Sequence, residues 1–90
     1  MDPLSDSEVA AHLRRLPEWE RHGSAIRRTF SFADFEGAMA FVNRVAALAE
    51  AADHHPDIDI RYSKVTLTLS THDAGGLTDR DFALAGKIET

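Results

Sequence analysis

Apolar residues first recur at helical spacing near the start of the chain. Val9, Leu13 and Leu16 lie four and three residues apart, and Pro17, which cannot donate a backbone hydrogen bond, ends the run. Just ahead of them Ser5-x-x-Glu8 has the form of a capping box, with Leu4 and Val9 placed as a hydrophobic staple. A helix is expected over residues 6–15. After Trp19, Gly23-Ser24 separates two runs, and the second alternates: Ile26, Phe30 and Phe32 share one side, Arg27, Thr29 and Ser31 the other. That pattern predicts a hairpin. Between Asp34 and Ala52, Phe35, Ala38, Met39, Val42, Val45, Ala46 and Ala49 form one helical stripe, so the longest helix is expected there. Phe41 and Leu48 fall outside the stripe and suggest a second apolar strip, and with it a subunit contact as well as a core contact.

Past His54-His55-Pro56 the period changes to two. Ile58, Ile60 and Tyr62, then Val65, Leu67 and Leu69, read as a second hairpin joined by Ser63-Lys64. His72 shares the parity of Thr66, Thr68 and Ser70, which places it on the polar side of the strand end unless a bulge intervenes. The chain then turns through Gly75-Gly76. Thr78-x-x-Asp81, flanked by Leu77 and Phe82, repeats the capping box and opens a last helix carrying Leu84, Ala85 and Ile88. The order αββαββα predicts an α+β fold, a four-stranded antiparallel sheet with helices packed on one face, as a single domain over residues 1–90.

Composition narrows the picture. Ninety residues with 43% apolar content suit one core, and a core this small makes burial between subunits an attractive supplement. There is no cysteine, so neither disulfides nor thiolate metal sites can contribute, and a cytoplasmic location is expected. A net charge of -5, with ten scattered basic residues, offers no footprint for direct nucleic-acid binding. The opening MDPLSDSEVA lacks the charge and apolar run of a signal peptide, and no stretch is apolar enough for a membrane span.

Candidate chemistry gathers at the second hairpin. His54, His55 and His72 bracket it, and antiparallel strands return to one edge of the sheet, so the three imidazoles can meet. Histidine gives or takes a proton near neutrality, and Glu50, Asp53 and Asp81 are the carboxylates within reach. Two other readings stay open on residue types alone. Adjacent histidines at a helix end favour the negative pole of the helix dipole, with Pro56 stopping the helix. Three histidines are also a zinc ligand set, although His54 and His55 lack the i, i+4 spacing of one helical face and no HExxH occurs. His12 and His22 are weaker candidates, read as surface residues. Trp19 and Tyr62 have the flat rings that stack on a planar ligand, or that fill a core.

The stretch Glu50-Ala-Ala-Asp53-His54-His55-Pro56, followed by Tyr62, Ser70-Thr71-His72 and Asp81, closely resembles the signature of the pterin-4a-carbinolamine dehydratases. Three residues separate Glu50 from His54, five Pro56 from Tyr62, nine Tyr62 from His72 and eight His72 from Asp81. The resemblance extends to Trp19, Phe32-x-Asp34-Phe35, Arg44-Val45-Ala46, Lys64-Val65, the run from Leu67 to His72, and Gly76-Leu77-x-x-Arg80-Asp81, and so covers nearly the whole chain. It implies a helix-flanked four-stranded sheet assembling as homodimers or homotetramers. It also implies loss of water from a 4a-hydroxytetrahydropterin to give a quinonoid dihydropterin, in tetrahydrobiopterin recycling, with no metal and no other cofactor. By the same resemblance His54 and His72 are the acid–base residues and His55 lines the pterin site. Glu50, Asp53, Ser70, Thr71, Asp81 and Trp19 are expected to support imidazoles or substrate. Ala74 stands where some animal relatives have cysteine, and the chain ends at Thr90, a few residues sooner than theirs, which bears on subunit contacts but not on the histidines. The same family includes dimerisation cofactors of transcription factors and assembly factors of ribulose bisphosphate carboxylase, the latter with degenerate histidine motifs. A non-catalytic assembly role is therefore the alternative function, disfavoured here by three intact motif histidines.

Overall fold

The computed structural model describes residues 2–90. Helix α1 (Asp6–Leu13) is followed by strands β1 (Glu20–His22) and β2 (Ala25–Ser31), helix α2 (Phe35–Ala52), strands β3 (Asp57–Arg61) and β4 (Lys64–Leu69), a one-turn 3-10 segment (His72–Ala74) and helix α3 (Asp79–Glu89). The strands form one antiparallel sheet in the order β1-β2-β4-β3, so the expected α+β architecture is what the chain adopts. No helix among the described residues is long and apolar enough to cross a membrane.

The sheet's two faces follow from its alternation. Ile26, Val65, Leu67 and Leu69 are fully buried and form the core with Ala38, Val45 and Ala49 of α2 and Phe82, Leu84, Ala85 and Ile88 of α3. The opposite face carries threonines and charges, and Thr29 and Thr66, paired across β2 and β4, share a hydroxyl hydrogen bond of 2.8 Å. Both sheet-flanking helices start as their caps dictate. Asp34 accepts from the Gly37 amide at 2.8 Å, and Thr78 with Asp81 closes a complete capping box.

Several sequence expectations need correction. Helix α1 ends at Leu13 rather than 15, because the chain tightens there: Arg15 and Leu16 donate to the carbonyls of His12 and Leu13, three residues back. The second hairpin turns at Tyr62-Ser63, not Ser63-Lys64, and Tyr62 takes a left-handed φ of 50°. A period of two cannot distinguish registers that differ by two residues, since both keep Ile58 and Ile60 on the core side. The Phe32 amide, which donates to the Ser63 carbonyl at 2.8 Å, ties the observed turn to β2. Phe41 and Leu48 pack against this chain's own core while each stays partly exposed. The Phe41 ring lies 4.5 Å from that of Phe30 and 5.1 Å from that of Phe32. His12 is half-buried, stacked on Phe82 with ring centroids 4.5 Å apart, and is no simple surface residue; His22 is exposed.

Candidate active site

The three motif histidines arrive at one cavity by three different local devices. At the end of α2, Asp53 adopts the left-handed conformation (φ 51°, ψ 43°) that asparagine and aspartate tolerate better than other side chains with a Cβ. The His54 amide then reaches back to the Ala49 carbonyl at 3.1 Å, and this closing turn directs His54 inward and leaves His55 on the rim. His72 comes from the other end of the hairpin. β4 stops at Leu69, Thr71 makes an isolated antiparallel bridge with Gly76, and His72 opens the 3-10 turn between them, exposed. The turn, rather than a bulge, sets its direction.

His54 is the anchored member. It is only 8% exposed, and its Nε2 lies 2.6 Å from Oδ1 of Asp81, which is 0% exposed. The other oxygen of that carboxylate accepts from the Thr71 hydroxyl at 2.9 Å and from the Thr78 amide at 2.9 Å. With the Thr71 proton committed to Asp81, the 2.8 Å contact between the two threonine hydroxyls must run from Thr78 to Thr71. Every buried side-chain donor and acceptor here is paired, as the low dielectric demands. An ionised Asp81 accepts from Nε2–H and selects one His54 tautomer. Nδ1 makes no hydrogen bond, yet no buried side-chain nitrogen or oxygen among the described residues lacks a partner, so Nδ1 is reachable by solvent, in a residue that lines the cavity.

His55 is held from outside, its Nε2 2.5 Å from Oε1 of Glu50 in a solvent-exposed pair that contributes little stability but orients the ring. His72 has no side-chain partner. The cavity between them measures about 260 Å³ and is lined by Asp53, His54, His55, Ser70, Thr71, His72, Asp73 and Arg80. Of the residues expected from sequence, Asp81 stands behind His54 and Glu50 beside His55. Trp19 is elsewhere: it is buried in the core, with Nε1 donating to Glu89 at 2.9 Å. Tyr62 sits at the far tip of the hairpin, 67% exposed. No group of three or more His, Cys, Asp or Glu among the described residues is arranged to hold a metal ion.

Two lining residues were given no role at the site by the sequence reading. Arg80 donates through Nη2 to the Asp53 carbonyl and so joins the start of α3 to the end of α2. A signal for it existed, since a cation in the first turn of a helix opposes the macrodipole and implies a partner elsewhere. Asp73 carried no such signal. A larger cavity of about 580 Å³ lies between α1 and α3, lined by His12, Leu16, Phe82 and Ala83 among others, but the imidazole there is engaged by Phe82 and by Asp79 at 3.1 Å.

A family profile described as pterin 4 alpha carbinolamine dehydratase matches residues 2–90. The chain belongs to that family. A provisionally named pterin-4-alpha-carbinolamine dehydratase of Thermomicrobium roseum is 58% identical over 88 residues, covering 98% of this chain and 95% of that protein. One from Chloroflexus aurantiacus is 57% identical over 89 residues, covering 99% and 96%. Among solved structures of this dehydratase family, a transcriptional coactivator/pterin dehydratase from Brucella melitensis superposes with a TM-score of 0.93 at 38% identity, covering 98% of this chain and 96% of that one. A pterin dehydratase-like protein identified as a RuBisCO assembly factor in the alpha-carboxysome has a TM-score of 0.68 at 25% identity, covering 80% and 86%.

Proposed function

We propose that this protein is a 4a-hydroxytetrahydrobiopterin dehydratase, a hydro-lyase that converts the 4a-carbinolamine to quinonoid dihydropterin plus water in tetrahydrobiopterin recycling. Residues 1–90 act as one catalytic domain, in the cytoplasm, as a homo-oligomer. The observation that carries the reading is the convergence of three imidazoles on one polar cavity, one of them backed by a buried carboxylate.

Loss of water needs one proton delivered to the departing hydroxyl and one removed from a pterin ring nitrogen. The nitrogen's electron pair forms the new C=N bond as the C4a–O bond breaks. His54 suits the removal. Its Nε2–H is committed to Asp81, its Nδ1 is the free acceptor, and the imidazolium formed on protonation is stabilised by the buried carboxylate. His72, exposed and unpaired, suits delivery to the hydroxyl, and the two exchange the proton back through water. His55, steered by Glu50, binds the pterin, while Asp53, Ser70 and Thr71 supply polar contacts. Two positioned imidazoles supply about 10² to 10⁴-fold each, and the reaction written here has no metal or redox step.

The second reading is a non-catalytic assembly or dimerisation cofactor, supported by the descriptions of the two structural relatives. Stopped-flow absorbance of 4a-hydroxytetrahydropterin, generated in the cuvette, separates the two. Acceleration by wild type that falls in His54→Ala and His72→Ala supports the dehydratase. No acceleration by folded wild type, with a stable complex recovered on affinity capture, supports the assembly role.

A further inference from the structure

Gly75 and Gly76 are adjacent for two different physical reasons. Gly75 closes the 3-10 turn in the left-handed region, at φ 71°, where a Cβ is strained. Gly76 has no such φ. A Cβ on Gly76 would instead sit 3.0 Å from the Cβ of Pro3, tighter than ordinary van der Waals contact. The next residue continues the contact, because the Leu4 amide donates to the Leu77 carbonyl at 2.7 Å while the Leu4 side chain packs on the core.

This N-terminal segment therefore lies across the one feature that holds His72. Residues 72–75 form a loop closed by the Thr71–Gly76 bridge, with amide-to-carbonyl distances of 3.0 Å and 3.4 Å. His54 is fixed by Asp81 and His55 by Glu50, but the His72 ring has no partner, so its placement depends on the backbone of that loop. We infer that Pro3–Leu4 is a strap that positions the His72 loop, which makes Pro3, Leu4 and Gly76 positioning residues for the reaction proposed above, on which this inference rests. Pressing on Gly76 and pairing with Leu77, the strap keeps the bridge shut and His72 aimed at the cavity.

The test is a wedge and its relief. Gly76→Ala inserts the one atom that Pro3 opposes, and Pro3→Gly in the same chain removes the opposing atom. Stopped-flow turnover and amide hydrogen exchange of residues 72–75 are read in wild type, Gly76→Ala and the double variant. Gly76→Ala is expected to speed exchange and to lower kcat about tenfold with KM little changed, less than the about 10²-fold that a 1 Å misplacement can produce. The double variant is expected to recover most of both, because the added methyl fills the space the proline ring leaves and the hydrogen bond from Leu4 to Leu77 is untouched. If Gly76→Ala does not fold, Leu4→Pro, which deletes the amide donor to Leu77 together with the Leu4 side chain, replaces it in the same two readouts, with Leu4→Ala beside it to subtract the side chain's share. Wild-type kcat and exchange in the wedge variant, or a deficit that Pro3→Gly does not reverse, overturns the strap. A wild type without turnover refutes the dehydratase reading instead, and the exchange comparison still decides whether the strap holds the loop.

Discussion

The chain contains the same short motif twice, and its two copies have different fates. At α1, Ser5 and Glu8 satisfy each other's amides on the surface: Glu8 Oε1 accepts from the Ser5 amide at 2.9 Å and Ser5 Oγ accepts from the Glu8 amide at 3.2 Å. At α3, Thr78 and Asp81 make the same reciprocal box, but both are buried, and the Asp81 carboxylate also accepts from His54 and Thr71. The first box starts a helix. The second starts a helix and mounts an imidazole. A local motif satisfies local amides wherever it stands; what it does besides that depends on which side chains the fold packs against its free oxygen.

The largest effect that separates the two boxes is expected at Asp81. Asp81→Asn removes the charge under His54 and leaves buried donors poorly matched, so stability should fall by about 3 kcal/mol. Turnover should fall at least about tenfold, and no further than when the imidazole it mounts is itself removed. Chemical denaturation and stopped-flow kinetics measure both, and a variant within about 1 kcal/mol of wild type would show that the carboxylate is not integrated as the geometry indicates. Next come the histidines themselves. His54→Ala and His72→Ala should each lower turnover at least about tenfold. Only the first should also lower the melting temperature, because it strands a buried carboxylate, whereas His72 is exposed and unpartnered. Equal melting losses in the two variants would erase the contrast between an anchored and a free imidazole.

Smaller effects sharpen the same contrast. Ser5→Ala should remove about 1 kcal/mol, the ordinary worth of an N-cap hydroxyl. Thr78→Ala should remove roughly twice that, because its hydroxyl also donates to the buried Thr71 oxygen. Thr78→Ser should restore most of it, and indistinguishable Ser5→Ala and Thr78→Ala variants would mean that burial adds nothing to the cap. The smallest effect is on pH. The Ser5 backbone amide, helped by the Ser5 hydroxyl, holds the fully exposed Glu8 carboxyl below its ordinary value. A group depressed in the folded state contributes stability above its unfolded value and loses that contribution as pH falls through the folded one. An NMR titration of Glu8 should therefore give a midpoint below the usual carboxylate range that moves up in Ser5→Ala.

Much of this was readable along the chain. The caps at Ser5 and Thr78, the apolar stripe after Asp34 and the two alternating runs showed where helices begin and strands run, because those choices are made between residues at most a few positions apart. The meeting of His54, His55 and His72 was also legible, since a hairpin returns its ends to one edge. Less legible were Arg80, whose partner is the backbone carbonyl of the residue that caps α2, and Trp19, whose indole is buried in the core and bonds Glu89 rather than facing the cavity. The turn at Tyr62-Ser63 was missed for a different reason: alternation is blind to a slip of two residues.

By itself, then, the sequence determined the element order, the buried faces of β2, β4 and the two long helices, and the residue types that gather at one end of the second hairpin. All three follow from periodicities of 2 and 3.6 and from caps that act within one turn. Only the tertiary structure decided that the carboxylate of one capping box would lie beneath His54, that Pro3 would press on Gly76, and that Phe41 would complete this chain's own core. Those contacts join residues 27 or more positions apart, apart from the 11 or fewer that separate Phe41 from Phe30 and Phe32. They are set by how helices settle on a twisted sheet, a geometry that no local pattern encodes.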